Sequence, residues 1–93
     1  MSAVALGEER FPVRVMVTAA WDQVTVQADA TTTVAQLKRD ALRAALKTAV
    51  DEQHHIVKYR GALVLDESLT LRALDARPNA PFIVLPGRRQ PVR

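Results

Sequence analysis

A chain of 93 residues makes one domain around one core, not several. Hydrophobic residues make up 48% and charged residues 25%, an ordinary globular balance, and no apolar run approaches the roughly 18 residues of a membrane-spanning helix. The net charge of +3 is modest, and the absence of cysteine excludes disulfides, thiolate metal sites and thiol redox chemistry.

Residues 1–10 show no sustained period. They lack the basic start of a signal peptide and read as a flexible leader, so the expected location is the cytoplasm. Phe11, Val13, Val15 and Val17 then alternate with Pro12, Arg14, Met16 and Thr18, the period of a strand with one apolar face. Pro12 cannot donate to a ladder, which puts the start of this strand at or beside an edge. After Ala19-Ala20-Trp21-Asp22 the alternation resumes at Val24, Val26 and Ala28. Two such runs with a short break predict a β-hairpin.

The strongest helix signal is Thr31–Leu46. Thr32 or Thr33 is the expected N-cap, and Thr33 with Gln36 fits a capping box. Val34, Leu37, Ala41 and Ala44 or Ala45 follow at helical spacing, widened by Leu42 and Leu46. The opposite face is expected to carry Lys38, Arg39, Arg43 and Lys47, either solvated or as a second basic surface for a partner. Beyond the polar Asp51-Glu52-Gln53 comes a strand candidate, His55–Arg60, stopped by Gly61. Leu63-Val64-Leu65 is a short apolar run, Asp66-Glu67-Ser68 a turn, and Leu69, Leu71 and Leu74 surround a single helical turn. Phe82-Ile83-Val84-Leu85 reads as a central strand, ended by Pro86-Gly87. Residues 88–93 form a basic tail. The domain therefore runs over residues 11–87.

The core expected from these patterns is Val13, Val15, Val17, Val24, Val26, Val34, Leu37, Ala41, Val57, Tyr59, Leu65, Leu71 and Val84. The fold class is α+β, with a mixed sheet of four to five strands packed on one main helix.

The order of elements resembles the ubiquitin-like family, whose fold is the β-grasp. The resemblance spans about Phe11 to Gly87. It rests on the hairpin, on the Thr33-Val34-x-x-Leu37-Lys38-x-x-Ala41 helix entry, and on Val57-Lys58-Tyr59-Arg60-Gly61. It also rests on Leu65-Asp66-Glu67-Ser68-Leu69-Thr70-Leu71 and on the last strand. Its nearest kind is the stand-alone bacterial ubiquitin-like protein without a C-terminal Gly-Gly. Such a fold carries many unrelated tasks. The resemblance implies two functional features to check. The family's activated C-terminal Gly-Gly is missing, since the chain ends Pro-Val-Arg. A modifier or sulfur-carrier role would need trimming to Gly87. The family's apolar binding patch is altered, because Lys58 stands at its central isoleucine, while the last strand contributes Ile83 or Leu85. Ubiquitin's own receptors are therefore not expected to bind.

No catalytic constellation stands out, and an enzyme is not expected. His54 and His55 are adjacent and on a strand would point to opposite faces, so no metal and no cofactor is expected. With four aromatics, a modest net charge and part of the basic excess in the tail at Arg88, Arg89 and Arg93, nucleic acid is not the expected ligand either. The expected function is a non-catalytic protein-interaction module or small accessory subunit. Its expected binding surface is the sheet face formed by Met16, Trp21, Ile56, Lys58, Arg60 and Leu85, facing a partner of acidic or mixed surface. Whether Ile56 or Val57 faces outward depends on strand register. The sequence leaves the oligomeric state open.

Overall fold

A computed structural model describes residues 10–47 and 52–87 of the chain. Five strands and one long helix are built in the order β1 (Phe11–Val17), β2 (Asp22–Ala28), α1 (Val34–Leu46), β3 (His55–Tyr59), β4 (Ala62–Leu63) and β5 (Pro81–Pro86). The strands form one mixed sheet in the order β2-β1-β5-β3-β4. β1 pairs antiparallel with β2 and parallel with β5, while β3 is antiparallel to both of its neighbours. The last strand in sequence is thus the middle strand in space. Residues 1–9 of the leader, residues 48–51 and the basic tail lie outside the described residues.

The valine alternation sets the sheet's two faces. Val13, Val15 and Val17 are fully buried, and Val26, Ala28, Val57, Tyr59, Phe82 and Val84 join them beneath the helix. Val34, Leu37, Ala41 and Leu42 come down from α1 to close the core. Each such side chain taken out of water contributes on the order of 1.5–3 kcal/mol before ordering entropy is subtracted.

Helix α1 begins where a capping box begins. Thr33 Oγ1 accepts from the Gln36 amide at 3.1 Å, and Gln36 Oε1 accepts from the Thr33 amide at 3.0 Å. This settles the cap at Thr33. Thr32 instead holds the preceding turn, its Oγ1 accepting from the Asp29 amide at 3.0 Å. Replacing Thr33 by alanine is expected to lower stability by about 1 kcal/mol, read from the urea midpoint at unchanged slope. Lys47, in the left-handed region at φ 60°, ends the helix.

Two turns gain detail that the sequence leaves open. The β1–β2 break is a 3-10 turn, Thr18–Ala20, followed by Trp21 at φ 51°. The β3–β4 hairpin turns on Arg60 at φ 56° and Gly61 at φ 82°, so both central residues are left-handed as a type I′ turn requires. The single helical turn after Thr70 is present: the Thr70 hydroxyl accepts from the Ala73 amide and its carbonyl from the Leu74 amide.

Three expected placements change. Leu65 is 62% exposed, and Val64 takes the core position instead. The Val64 amide donates to the Val57 carbonyl at 2.9 Å, which turns Val64 inward and leaves the next residue outward. Val24 is only half-buried, because β2 is an edge strand with cover on one side. Lys38 is not on the solvated helix face. It is 4% exposed, with its ammonium 2.7 Å from Glu67 Oε1 and 3.0 Å from the His55 carbonyl.

Candidate interaction surface

The helix covers one face of the sheet, and among the described residues no element covers the other. Strand register defines that face without ambiguity. Met16 lies opposite Gln23 on β2 and beside Ile83 on β5, Ile83 opposite Lys58 on β3, and Lys58 opposite Leu63 on β4. One row, Gln23–Met16–Ile83–Lys58–Leu63, therefore crosses all five strands, roughly 19 Å at the usual strand spacing. Ile56 and Leu85 form a neighbouring pair on one side of the row, and Arg14 lies next to Pro81 on the other.

The register decides the question left open by sequence: Val57 is 1% exposed and points into the core, so Ile56 belongs to the open face. Ile83 and Leu63 are exposed at 39% and 40%, while Met16, Ile56, Lys58 and Leu85 are half-buried by their neighbours. Leu63 is missing from the expected set, and Ile83 joins Leu85 on this face rather than standing in its place. The alternation within β5 carries the signal for Ile83, since Phe82 and Val84 face in. Nothing in the sequence places Leu63, because a strand of two residues has no period to read.

Trp21 stands at the hairpin end of this face. The parallel pairing of Val17 with Val84 brings that end beside Leu85, and the pairing of Leu85 with Ile56 continues it. Trp21 is 87% exposed and does not fold over the core. Its left-handed backbone is one that a bulky side chain seldom adopts, at a cost on the order of 1–2 kcal/mol. A side chain held out in water on strained backbone gives the fold nothing that glycine would not give.

Arg60 is placed differently from expectation. Its guanidinium lies 5.7 Å from the centroid of the Tyr59 ring, which faces the helix-covered side. It borders the sheet edge rather than the open face. The charged residues that the strands do place on the open face are Arg14 and Lys58, both cationic. Strand positions on this face hold no carboxylate.

The second expected basic surface loses Lys38 to the core. Arg39 pairs with Glu52 at 3.5 Å, both partly exposed, which leaves Arg43 and Lys47 as exposed cations on that side. Exposed ion pairs of this kind contribute little. Among the described residues no cluster of three or more potential ligands gathers around a metal-sized space, and His54 and His55 lie on different elements. Near the helix start, hydrogen bonds from the Thr31 hydroxyl and then the Thr31 amide hold the Asp29 carboxyl below its ordinary pKa. That carboxylate is fully used in organising the turn.

The arrangement of sheet and helix matches solved structures closely. The fold is the ubiquitin-like β-grasp. A ubiquitin of Caldiarchaeum subterraneum superposes with a TM-score of 0.70 at 13% identity, covering 89% of this chain and 96% of that one. A ubiquitin-like domain of Arabidopsis thaliana gives a TM-score of 0.70 at 18% identity, over 100% of this chain and 93% of the other. A protein described as a molecular mimic of SUMO that promotes DNA repair gives 0.68 at 9% identity, over 81% and 89%. No family model and no curated protein sequence matches the chain. The likeness is one of fold, at identities where the side chains of a binding face are free to differ. Against the β-grasp frame, the centre of the open face carries Lys58 flanked by Ile83 and Leu63, and the hairpin carries a tryptophan. Among the described residues no helix is long and apolar enough to cross a membrane.

Proposed function

We propose that this chain is a non-catalytic protein-interaction module. Its open sheet face docks a partner that presents apolar side chains among carboxylates. The observation that carries this reading is the row Met16–Ile83–Lys58–Leu63, apolar and cationic, on a sheet whose β1–β2 connection holds an exposed tryptophan. Tryptophan buries a large area on binding for little entropy, and it is enriched among residues that dominate binding energy. Arg14 and Lys58 favour acidic partners and speed their encounter.

A modifier or carrier would need Gly87 at a free carboxyl end. The Gly87 amide donates to the His54 carbonyl at 2.9 Å, and a Cβ there would meet Ile56 Cδ1 at 3.1 Å. Packing against Ile56 accounts for that glycine without chain-end chemistry. Intact mass from the native host separates the two roles: the module is expected at full length, the carrier as a chain ending at Gly87.

Three variants test the face. Trp21→Gly relieves the left-handed strain, so its stability is expected to equal or exceed wild type by up to about 1 kcal/mol. Ile83→Asp and Lys58→Glu leave the buried face untouched. Proteins captured by the tagged wild type in its native host are expected to be lost from all three, with circular dichroism unchanged. An identical captured set for wild type and variants would move the interface elsewhere.

A further inference from the structure

The sheet has two edges, and they are not alike. β4 exposes two residues, whereas β2 exposes seven in unbroken register with β1. The direction of β2's free backbone groups follows from β1. The Arg14 amide donates to the Ala80 carbonyl at 3.2 Å, and the Asn79 amide donates to the Pro12 carbonyl at 2.7 Å. Pro12 and Arg14 therefore turn their backbone groups away from β2. In an antiparallel ladder the residues opposite them turn away as well. Those residues are Gln27 and Thr25, and Gln23 opposite Met16 continues the series. Their amides and carbonyls line the free edge. Among the described residues, the Arg10 guanidinium meets the Gln27 carbonyl at 2.7 Å at one end of it.

Natural edge strands are guarded by lysine, proline, bulges or shortness. β2 has none of these, and its charges are confined to its two ends, Asp22 at one and the Arg10 guanidinium on the Gln27 carbonyl at the other: the outward side chains between them are Gln, Thr and Gln, and the register is continuous. We propose that β2 is a self-association edge, pairing antiparallel with β2 of a second copy of this chain about a two-fold axis through Thr25.

The occupant is argued from self-complementarity. A two-fold at Thr25 sets Thr25 against Thr25 and Gln23 against Gln27, all outward-facing residues, and uncharged cross-strand pairs of this kind attract. On the helix side it sets the half-buried Val24 against Val26 and gives it the cover it lacks. The ends match in charge. Asp22, exposed at the start of β2, falls opposite Ala28 of the second copy, next to the position where Arg10 holds the Gln27 carbonyl. The two-fold makes this contact twice. The cleft beside this edge carries both signs, with Arg10 and Arg39 against Asp29 and Asp40, so it selects neither a strongly acidic nor a strongly basic strand. Both helices lie on one side of the joined sheet, and the open face of each copy stays free.

One paired strand buries less than a standard interface of about 1,600 Å², so the association is weak and concentration-dependent. Light scattering of the full chain is expected to show a mass rising from 10.3 kDa toward twice that value as the protein is concentrated. Amides of Gln23, Thr25 and Gln27 gain hydrogen-exchange protection over the same range. Thr25→Pro removes an outward amide without touching the ladder to β1 and is expected to weaken association about ten-fold or more. Asp22→Arg weakens it too, and adding Arg10→Asp restores it, which no purely structural role would do. The folded state of each variant is checked by circular dichroism. A chain monomeric at every concentration overturns the proposal, as does a dimer indifferent to both Thr25→Pro and Asp22→Arg.

Discussion

Glu67→Ala is expected to remove about 3–5 kcal/mol of stability, the cost of leaving one half of a buried ion pair without the other. A domain of this size has roughly 5–15 kcal/mol in total, so this one change brings it close to unfolding. Lys38 is 4% and Glu67 7% exposed, and the Lys38 ammonium touches Glu67 Oε1 at 2.7 Å and the His55 carbonyl at 3.0 Å. Without Glu67 the ammonium keeps one neutral acceptor in a place that water does not reach. The pair also ties the chain together. The Ala35 amide donates to the Glu67 carbonyl at 2.9 Å, so helix start, Glu67 loop and the beginning of β3 converge on one contact. The pair is nevertheless incomplete, because Glu67 Oε2 is buried without a hydrogen-bond partner among the described residues. Joint replacement by Lys38→Met and Glu67→Leu is therefore expected to come out near wild type or up to about 4 kcal/mol more stable. Urea unfolding of wild type, Glu67→Ala, Lys38→Met and the double variant measures both claims in one cycle. A loss below about 1 kcal/mol for Glu67→Ala would mean that the Lys38 ammonium reaches water, and the buried-pair account would fall.

The ion pair also marks where sequence reasoning ended. Local pattern placed the valines of β1 and the helix stripe and narrowed the cap to Thr32 or Thr33, because each depends on residues within a few positions. It placed Lys38 among the solvated cations of the helix, for the same reason that it is usually right to do so: an isolated lysine is not buried. What overrides that rule is Glu67, 29 positions away in the chain, and no local pattern carries it. Leu65 failed in a similar way. Three apolar residues in a row offer no phase, and the Val64 amide bond to Val57 sets which one turns inward. Met16, Ile56, Lys58 and Leu85 follow from alternation once the register is known, while Leu63 needed the two-residue β4 and Arg60 needed the Tyr59 ring to be placed. The edge character of β2 was hidden altogether, since strand order cannot be read from strand sequence.

Phe82→Ala is expected to cost about 3–5 kcal/mol, while Ile83→Ala, the next residue, costs clearly less, about 1–2 kcal/mol. The contrast follows from β5 lying between β1 and β3 with cover on one face only. Phe82 is 1% exposed and stacks on Tyr59, ring centroids 4.5 Å apart and planes 17° from parallel. Deleting the ring opens a cavity between the two halves of the sheet, and it removes a stacked pair worth on the order of 0.5–1.5 kcal/mol beyond area. Ile83 is 39% exposed on the open face, so its truncation removes less buried surface than that of Phe82 and opens no cavity in the core. The two residues should then exchange ranks in binding. Ile83→Ala is expected to weaken capture of the partner, because Ile83 sits at the centre of the row between Met16 and Lys58. Paired urea melts and capture experiments read both quantities. Equal stability losses at the two positions would mean that the second face of β5 is covered within the molecule, and the open face would lose its claim to be an interaction surface.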